Sequence, residues 1–170
     1  VARDMRKRYK RSVIGYFWSM LNPLLMMLIL TIVFSHIMRF EMKDYAIYVL
    51  TGMTLWGLLH TTIIASLGSI KDNTLILAQM PLPKYLFVLS ITASNLVNFL
   101  LSLVPLIAII LFLQHSLPLT VLALPLILFP ILMFTIGISL ILAVLNVFFE
   151  DTYHLTTVAL QALYFLSPIL

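Results

Sequence analysis

Apolar residues run through this chain in long stretches that few charged residues interrupt. Four long stretches contain no Asp, Glu, Lys or Arg: residues 12–38, 45–70, 85–149 and 152–170. A membrane-crossing helix takes about 20 mostly apolar residues. The first two stretches therefore each predict one crossing, and the third, which is much longer, predicts two.

Short polar breaks within and between these stretches set the expected helix boundaries. The pattern predicts an all-α, polytopic transmembrane helical bundle with spans at residues 20–38, 45–67, 85–113 and 119–145. A fifth apolar run, residues 152–170, is interrupted by Ser167-Pro168 and predicts a broken span. The chain starts at Val1 and stops inside apolar sequence, so both ends are expected to be cuts.

Residues 68–84 form the most polar segment between two predicted spans. Lys71, Asp72 and Asn73 lie in its first half, and Pro81 and Pro83 lie in its second. The first half predicts about two to three turns of helix, which the prolines would end. The segment is either an ordinary connector or a docking element for a partner protein, and its spacing alone does not decide between them.

The N-terminal residues 1–18 combine basic and apolar positions at helical spacing. Met5, Tyr9, Val13 and Tyr16 recur along one side, which is typical of an amphipathic helix lying in the lipid headgroup layer. The positions assigned to this interfacial helix are Arg3, Arg6, Lys7, Arg8, Tyr9, Lys10 and Arg11. Tyr16, Phe17 and Trp18 follow as an aromatic belt at the lipid boundary. Alternatively, these residues are the cytoplasmic end of the first span.

The composition requires lipid as a solvent. Hydrophobic residues make up 62% of the chain and charged residues 9%, whereas soluble domains carry about 25% charged residues. The net charge of +4 comes mainly from the N-terminal basic cluster, which could attract nucleic acid. We favour the positive-inside rule as its explanation and expect no nucleic acid partner.

The distribution of Lys and Arg predicts the orientation. The N-terminal segment and residues 68–84 together hold eight of the ten basic residues, and the segment 39–44 on the opposite side holds two. The side rich in Lys and Arg is the cytoplasm. The sequence therefore predicts a multi-pass protein of the bacterial inner membrane with its N-terminus in the cytoplasm.

The predicted spans lack the groups that several function classes require. Ion-coupled carriers need ionisable residues inside the membrane, and the span interiors contain no Asp, Glu, Lys or Arg. His36 and His60 are the histidines at useful depth, and we expect them to form hydrogen bonds between helices rather than to bind a ligand or relay protons. The chain has no cysteine and no His-Glu-x-x-His metal motif, so it is not expected to be an enzyme.

The energy source for transport is also absent from the chain. No Gly-x-x-x-x-Gly-Lys-Ser/Thr phosphate loop occurs in the sequence. An active transporter of this kind would receive energy from another subunit. We therefore expect this chain to bind no cofactor itself.

Three groups of residues resemble a known family. The N-terminal group is Arg3-Asp4, Arg8-Tyr9-Lys10, Ser12, Gly15, Trp18 and Asn22-Pro23; the loop group is Ser69-Ile70, Asp72-Asn73, Ile76-Leu77 and Pro83-Lys84; the late group is Phe148-Phe149, Asp151 and Leu166-Ser167-Pro168-Ile169. Together they resemble the permease of a type-2 ATP-binding-cassette exporter, and most closely the branch that exports O-antigen, capsular polysaccharide or teichoic acid. Glu150 departs from the pattern, which often has Arg there, and Ala78 and Gln79 stand where basic residues are common.

The resemblance implies a function and an assembly. It implies a permease with six spans, the sixth lying outside this sequence, that pairs with a second copy of itself and with ATP-binding-cassette ATPase subunits. ATP and Mg would be held by those partner subunits. Its substrate would be a lipid-linked glycan and its surroundings membrane lipids. The alternatives are an exporter of a drug or small lipid, a non-transporting scaffold of a glycan-assembly complex and, more remotely, a membrane transferase.

The resemblance also assigns roles to particular residues. Contacts that couple the permease to the ATPase are expected from Ile70, Lys71, Asp72, Asn73, Ile76 and Leu77. A polysaccharide path lined by aromatic rings is expected to involve Tyr16, Phe17, Trp18 and Trp56. For Tyr16 to Trp18 the role of membrane anchor is favoured, and for Trp56 packing in the bundle core remains an alternative.

Overall fold

A computed structural model describes residues 42–79, 82–114 and 123–167, together with Leu21, Leu25 and Ile29, which are helical. The interfacial helix 1–18 and its aromatic belt lie outside the described residues. So do His36 and all of the predicted first span except those three positions.

The described ranges are helical and contain no strand, as the sequence predicts. The described elements follow in the order α1 (Met42–Leu67), a 3₁₀ turn (Lys71–Asn73), α2 (Thr74–Gln79), α3 (Tyr85–Gln114), α4 (Leu124–Phe148) and α5 (Asp151–Leu166). The 3₁₀ turn and α2 are the short elements, and both lie between α1 and α3. Within α1, α3 and α4, the segments Tyr48–Leu67, Tyr85–Ala108 and Leu124–Phe148 are long and apolar enough to cross a membrane. The described chain is thus a multi-pass helical bundle.

Helix α1 lies at the centre of this bundle and packs against both α3 and α4. Three apolar clusters follow its length: Leu50 with Leu106 and Ile110, Leu58 with Phe99 and Leu128, and Ile70, just beyond its end, with Val88 and Ala143. The α3 partners occur in reverse order along the chain, so α1 and α3 are antiparallel. Helix α5 completes the group by contacting α1 and α4.

Large apolar side chains cover the outside of α4. Leu126, Phe129, Phe134 and Ile141 are all exposed in the isolated chain. In water such a surface would be unstable, whereas lipid solvates it at no cost. The exposure pattern therefore agrees with a helix that faces the bilayer.

The helix interfaces, by contrast, contain small polar residues. Thr62, Ser66, Thr135 and Ser139 are fully buried. Several hydroxyls bond within their own helix, as Thr135 Oγ1 does to the Ile131 carbonyl at 2.7 Å. Small residues of this kind let the backbones of membrane helices approach closely. Close packing matters there because the hydrophobic effect does not drive helices together in lipid.

The bounds of α4 differ from the predicted 119–145, and the helix begins at Leu124. Helix α5, by contrast, ends where the sequence predicts a break. Helix α4 continues to Phe148, three residues beyond the predicted end at residue 145. It continues because Asn146, which the sequence pattern treats as a break, is buried and hydrogen-bonded inside the bundle. Helix α5 ends at Leu166, and Ser167 is extended with ψ of 147°. An extended backbone is favoured there because Pro168 follows.

Candidate functional site

The segment after α1 folds into a compact loop through its own hydrogen bonds. The Ser69 amide donates to the Ser66 carbonyl at 3.0 Å, and the Asp72 amide donates to the Gly68 carbonyl at 2.9 Å. The Asn73 Nδ2 group donates to the Ser69 carbonyl at 2.7 Å. These bonds continue the helical path through the 3₁₀ turn into α2.

Gly68 leaves room for a close approach at the start of this loop. A Cβ added there would lie 2.7 Å from the Asp72 carboxylate oxygen Oδ2. Real Cβ atoms do not come so near, so a side chain would displace the carboxylate. Because the carboxylate is the free end of an exposed side chain, this displacement is cheap. Gly68 therefore favours the observed loop without being indispensable to it.

The inward side of the loop is attached to two membrane helices. Ile70 is buried against Val88 at the start of α3 and Ala143 near the end of α4. Leu77 of α2 packs on the edge of the same cluster, together with Leu140. The short helix is thus held on the bundle by apolar contacts rather than suspended in solvent.

A buried amide joins the end of α1 to the end of α4. Asn146 Nδ2 donates a hydrogen bond to the backbone carbonyl of Leu67 at 2.8 Å. Leu67 is the last residue of α1, and the final carbonyls of a helix have no partner within the helix. Asn146 therefore satisfies a group that would otherwise be buried and unpaired. A bond of this kind contributes about 1 kcal/mol.

An ion pair crosses the same junction at the surface. Lys71 Nζ donates to Glu150 Oε1, and the two side chains are 53% and 81% exposed. The hydrogen bond and the charge of Lys71 hold the pKa of the Glu150 carboxyl below its ordinary value. Because solvent screens an exposed pair, it adds little stability and mainly favours one register of the loop. Glu150 is one of the positions at which the sequence departs from the pattern that it resembles, and Lys71 is its partner here.

The outward side of the loop carries an unpacked apolar side chain among polar ones. Leu75 is 79% exposed, and Asp72 and Gln79 on the same side of the short helical segment are also exposed. These positions recur at a spacing of three and four residues, which places them along one helix face. Lys84 lies exposed just before α3. A protruding Leu bordered by a carboxylate and an amide suits contact with a protein groove.

The six residues predicted for ATPase coupling therefore occupy different positions on the loop. Ile70 and Leu77 point inward and fix the loop, and Asn73 supports its backbone. Lys71 and Asp72 are exposed. The side chain of Ile76 lies outside the described part. Sequence reasoning missed Leu75, although its spacing from Asp72 could have indicated an outward face.

Trp56, predicted for a substrate path, lies half-buried in α1 and contacts Tyr164 of α5. The ring centroids are 5.6 Å apart and the planes are tilted by 45°. This contact fits the packing alternative for Trp56, and the partial exposure leaves part of its surface accessible. Tyr16, Phe17 and Trp18 lie outside the described residues.

Asparagines, rather than His60, make the hydrogen bonds between helices. Asn95 Nδ2 of α3 donates to Thr62 Oγ1 of α1 at 3.2 Å, and Asn146 bonds to Leu67 as described. The imidazole of His60 is half-buried and makes no hydrogen bond within the described part of the chain. The expectation of an interhelical bond from His60 is not met there. The positions of Asn95 and Asn146 within an apolar run could have predicted these hydrogen bonds from the sequence.

Comparison with known proteins finds a family and several relatives to which this chain is similar. The model of the ABC-2 type transporter family matches residues 1–170. An O-antigen export system permease protein RfbA from Klebsiella pneumoniae is 31% identical over 170 residues, covering 99% of this chain and 65% of that protein. The protein of the same name from Myxococcus xanthus is 30% identical over 171 residues, covering 100% and 65%. The chain thus spans about 65% of the length of these relatives.

Proposed function

The chain belongs to the ABC-2 type transporter family, and from this premise we propose that it is the permease subunit of an ATP-driven exporter of a lipid-linked polysaccharide. The observation that carries the proposal is its likeness, along nearly its whole length, to permeases named for O-antigen export. The cargo would be of the O-antigen, capsule or teichoic acid type. It would cross the bacterial inner membrane.

The energy would come from a separate ATPase subunit that holds ATP and Mg. The sequence of this chain contains no phosphate-binding loop, which supports that division of labour. The permease would work as a pair of identical copies in the lipid bilayer. Its N-terminus would lie in the cytoplasm, in keeping with the clustering of Lys and Arg at that end.

The loop between α1 and α3 would be the receiving element for the ATPase. Its outward face, with Asp72, Leu75 and Gln79, is exposed and chemically suited to a protein partner. Its inward face is fixed to α3 and α4 through Ile70. A push on the outward face would therefore move membrane helices rather than bend a free loop.

The glycan would pass beside aromatic side chains. Trp56 is a candidate for this path because it is only half-buried in α1. Tyr16, Phe17 and Trp18 remain candidates from the sequence. Aromatic faces suit sugar rings because C–H groups can stack on them.

The proposal is tested by deleting the gene and analysing the envelope glycans. We expect a lipid-linked glycan to accumulate on the cytoplasmic side, and the full-length protein to restore export only when its ATPase partner hydrolyses ATP. Normal export in the deletion strain would contradict the proposal. Accumulation without any associated ATPase would instead favour a scaffold of a glycan-assembly complex.

A further inference from the structure

We propose that the loop and the α4–α5 turn form one mechanical unit, with Asn146 as its positioning residue. This loop–turn junction consists of Leu67, Ile70, Lys71, Ala143, Asn146 and Glu150. The inference rests on the proposed function, because it concerns how a push from an ATPase reaches the membrane helices. It extends that function by assigning the transmission to α4 and α5 as well as to α3.

The first contact of the junction is the hydrogen bond from Asn146 to Leu67. The two residues lie 79 positions apart in the chain, and Asn146 is 7% exposed. A buried donor and acceptor hold each other firmly because neither has water as an alternative partner. The end of α4 is therefore tied to the point at which the loop begins.

The second contact is apolar and lies one helical turn away. Ala143 and Asn146 are three residues apart and are both buried, so they lie on the same face of α4. Ala143 is completely buried in the cluster with Ile70 and Val88. A small side chain at this position lets the loop approach α4 closely. Movement of Ile70 would therefore press on α3 and α4 together.

The third contact extends the junction to the start of α5. Glu150, which pairs with Lys71, directly precedes α5 and is its N-terminal boundary residue. The three contacts thus run from the end of α1, across α4, to α5. Together they give the loop a fixed position relative to the turn.

Export per ATP hydrolysed tests the role of Asn146. The full-length permease is assembled with its ATPase, and Asn146→Leu is compared with Asn95→Leu. The control removes an interhelical amide bond to α1 that lies outside the junction. We expect Asn146→Leu to keep ATP hydrolysis while export per ATP falls several-fold, and Asn95→Leu to leave that ratio unchanged. An unchanged ratio in both variants, or an equal fall in both, overturns the proposal.

A crosslink tests the junction independently of the ATPase and of the stability of Asn146→Leu. The 170 residues contain no cysteine, so Lys71→Cys and Glu150→Cys introduce a clean pair. In membranes containing the otherwise cysteine-free full-length permease alone, a short bis-methanethiosulfonate crosslinker should join them efficiently. Each cysteine thiolate displaces a sulfinate from the reagent, and a reductant cleaves the two disulfides that result. Failure to crosslink overturns the proposed junction even if export itself is intact.

The same crosslink then tests whether the junction moves as a unit. In the assembled exporter we expect the crosslinked double variant to retain the export rate that it has before crosslinking. Export that stops on crosslinking and returns with reductant overturns the proposal, because the loop and the turn must then separate. If the uncrosslinked complex never exports glycan or binds an ATPase, the proposed function fails, while the crosslink yield still reports on the junction.

Discussion

Asn146 donates a hydrogen bond from its side-chain amide to the backbone carbonyl of Leu67, so that a residue near the end of α4 caps the end of α1. The bond satisfies the side-chain nitrogen of an amide that lies buried in an otherwise apolar helix. It also brings the loop after α1 beside the turn after α4. We expect both the stability of the bundle and its proposed mechanics to depend on this loop–turn junction.

Loss of this amide should destabilise the permease. Asn146→Leu would leave the Leu67 carbonyl buried and unpaired, at a cost of about 1–3 kcal/mol. We expect a lower midpoint of thermal unfolding for the purified full-length protein in detergent. Asn98→Leu is a matched control, since the Asn98 side chain makes no hydrogen bond to another helix among the described residues. Equal midpoints for Asn146→Leu and the wild type would show that the bond does not form.

The bond between Asn95 and Thr62 should appear as a coupling energy between α3 and α1. Asn95→Leu and Thr62→Val each remove one partner, and the double variant removes both. Because the pair is buried, we expect a coupling of about 0.6 kcal/mol, the average for such bonds in a membrane protein. A double-mutant cycle on unfolding free energies measures it. Strict additivity of the two single changes would contradict the assignment.

Ile70 and Leu75 should respond differently to truncation, although both are large apolar residues of one loop. Ile70 is 6% exposed and Leu75 is 79% exposed. Ile70→Ala should cost about 2–5 kcal/mol, the usual range for a buried Ile or Leu side chain. Leu75→Ala should leave the unfolding midpoint nearly unchanged. Comparable losses in the two variants would mean that the loop does not dock by its Ile70 side.

The Lys71–Glu150 pair should give stability a weak dependence on pH. Lys71 lowers the pKa of Glu150 in the folded chain, so the folded state binds the carboxyl proton less tightly than the unfolded state does. The stabilisation is therefore complete above the ordinary glutamate pKa and is lost as the pH falls through the lowered pKa. The measurement is the difference in unfolding midpoint between the wild type and Glu150→Gln.

The difference in unfolding midpoint between the wild type and Glu150→Gln should be small at neutral pH and should vanish in acid. High salt should reduce it, because both side chains are exposed. Lys84→Gln, a neutral substitution of the other described basic residue in residues 68–84, serves as the control and should show no such acid transition. A difference that grows on acidification would contradict the pairing.

The helices could be predicted from the sequence because lipid imposes a simple rule on them. Backbone groups in a bilayer must be satisfied within the segment, so a long charge-free run forms a helix. The end of α3 at Gln114 lies one residue from the predicted end at 113. The short helix after Ile70 and its end before the prolines followed from local propensity in the same way.

The contacts between distant segments could not be predicted in this way. Lys71 meets Glu150, and Leu67 meets Asn146, each across 79 positions. Periodicity describes the face of one helix but not the helix that covers it. The sequence predicts that α4 ends before Asn146 because an amide interrupts the apolar pattern of the span. Only the structure shows that this amide has a partner at the end of α1.

If the outward face of the loop receives an ATPase, as we propose, a charge at Leu75 should prevent the contact. Leu75→Glu places a charge at a highly exposed apolar position of the loop without opening a cavity, and Leu75→Met keeps the position apolar. The measurement is the amount of ATPase that co-purifies with the full-length permease from membranes. We expect Leu75→Met to retain the ATPase, and Leu75→Glu to lose it while keeping the unfolding midpoint of the wild type. Full retention of the ATPase and of glycan export by Leu75→Glu would contradict the claim.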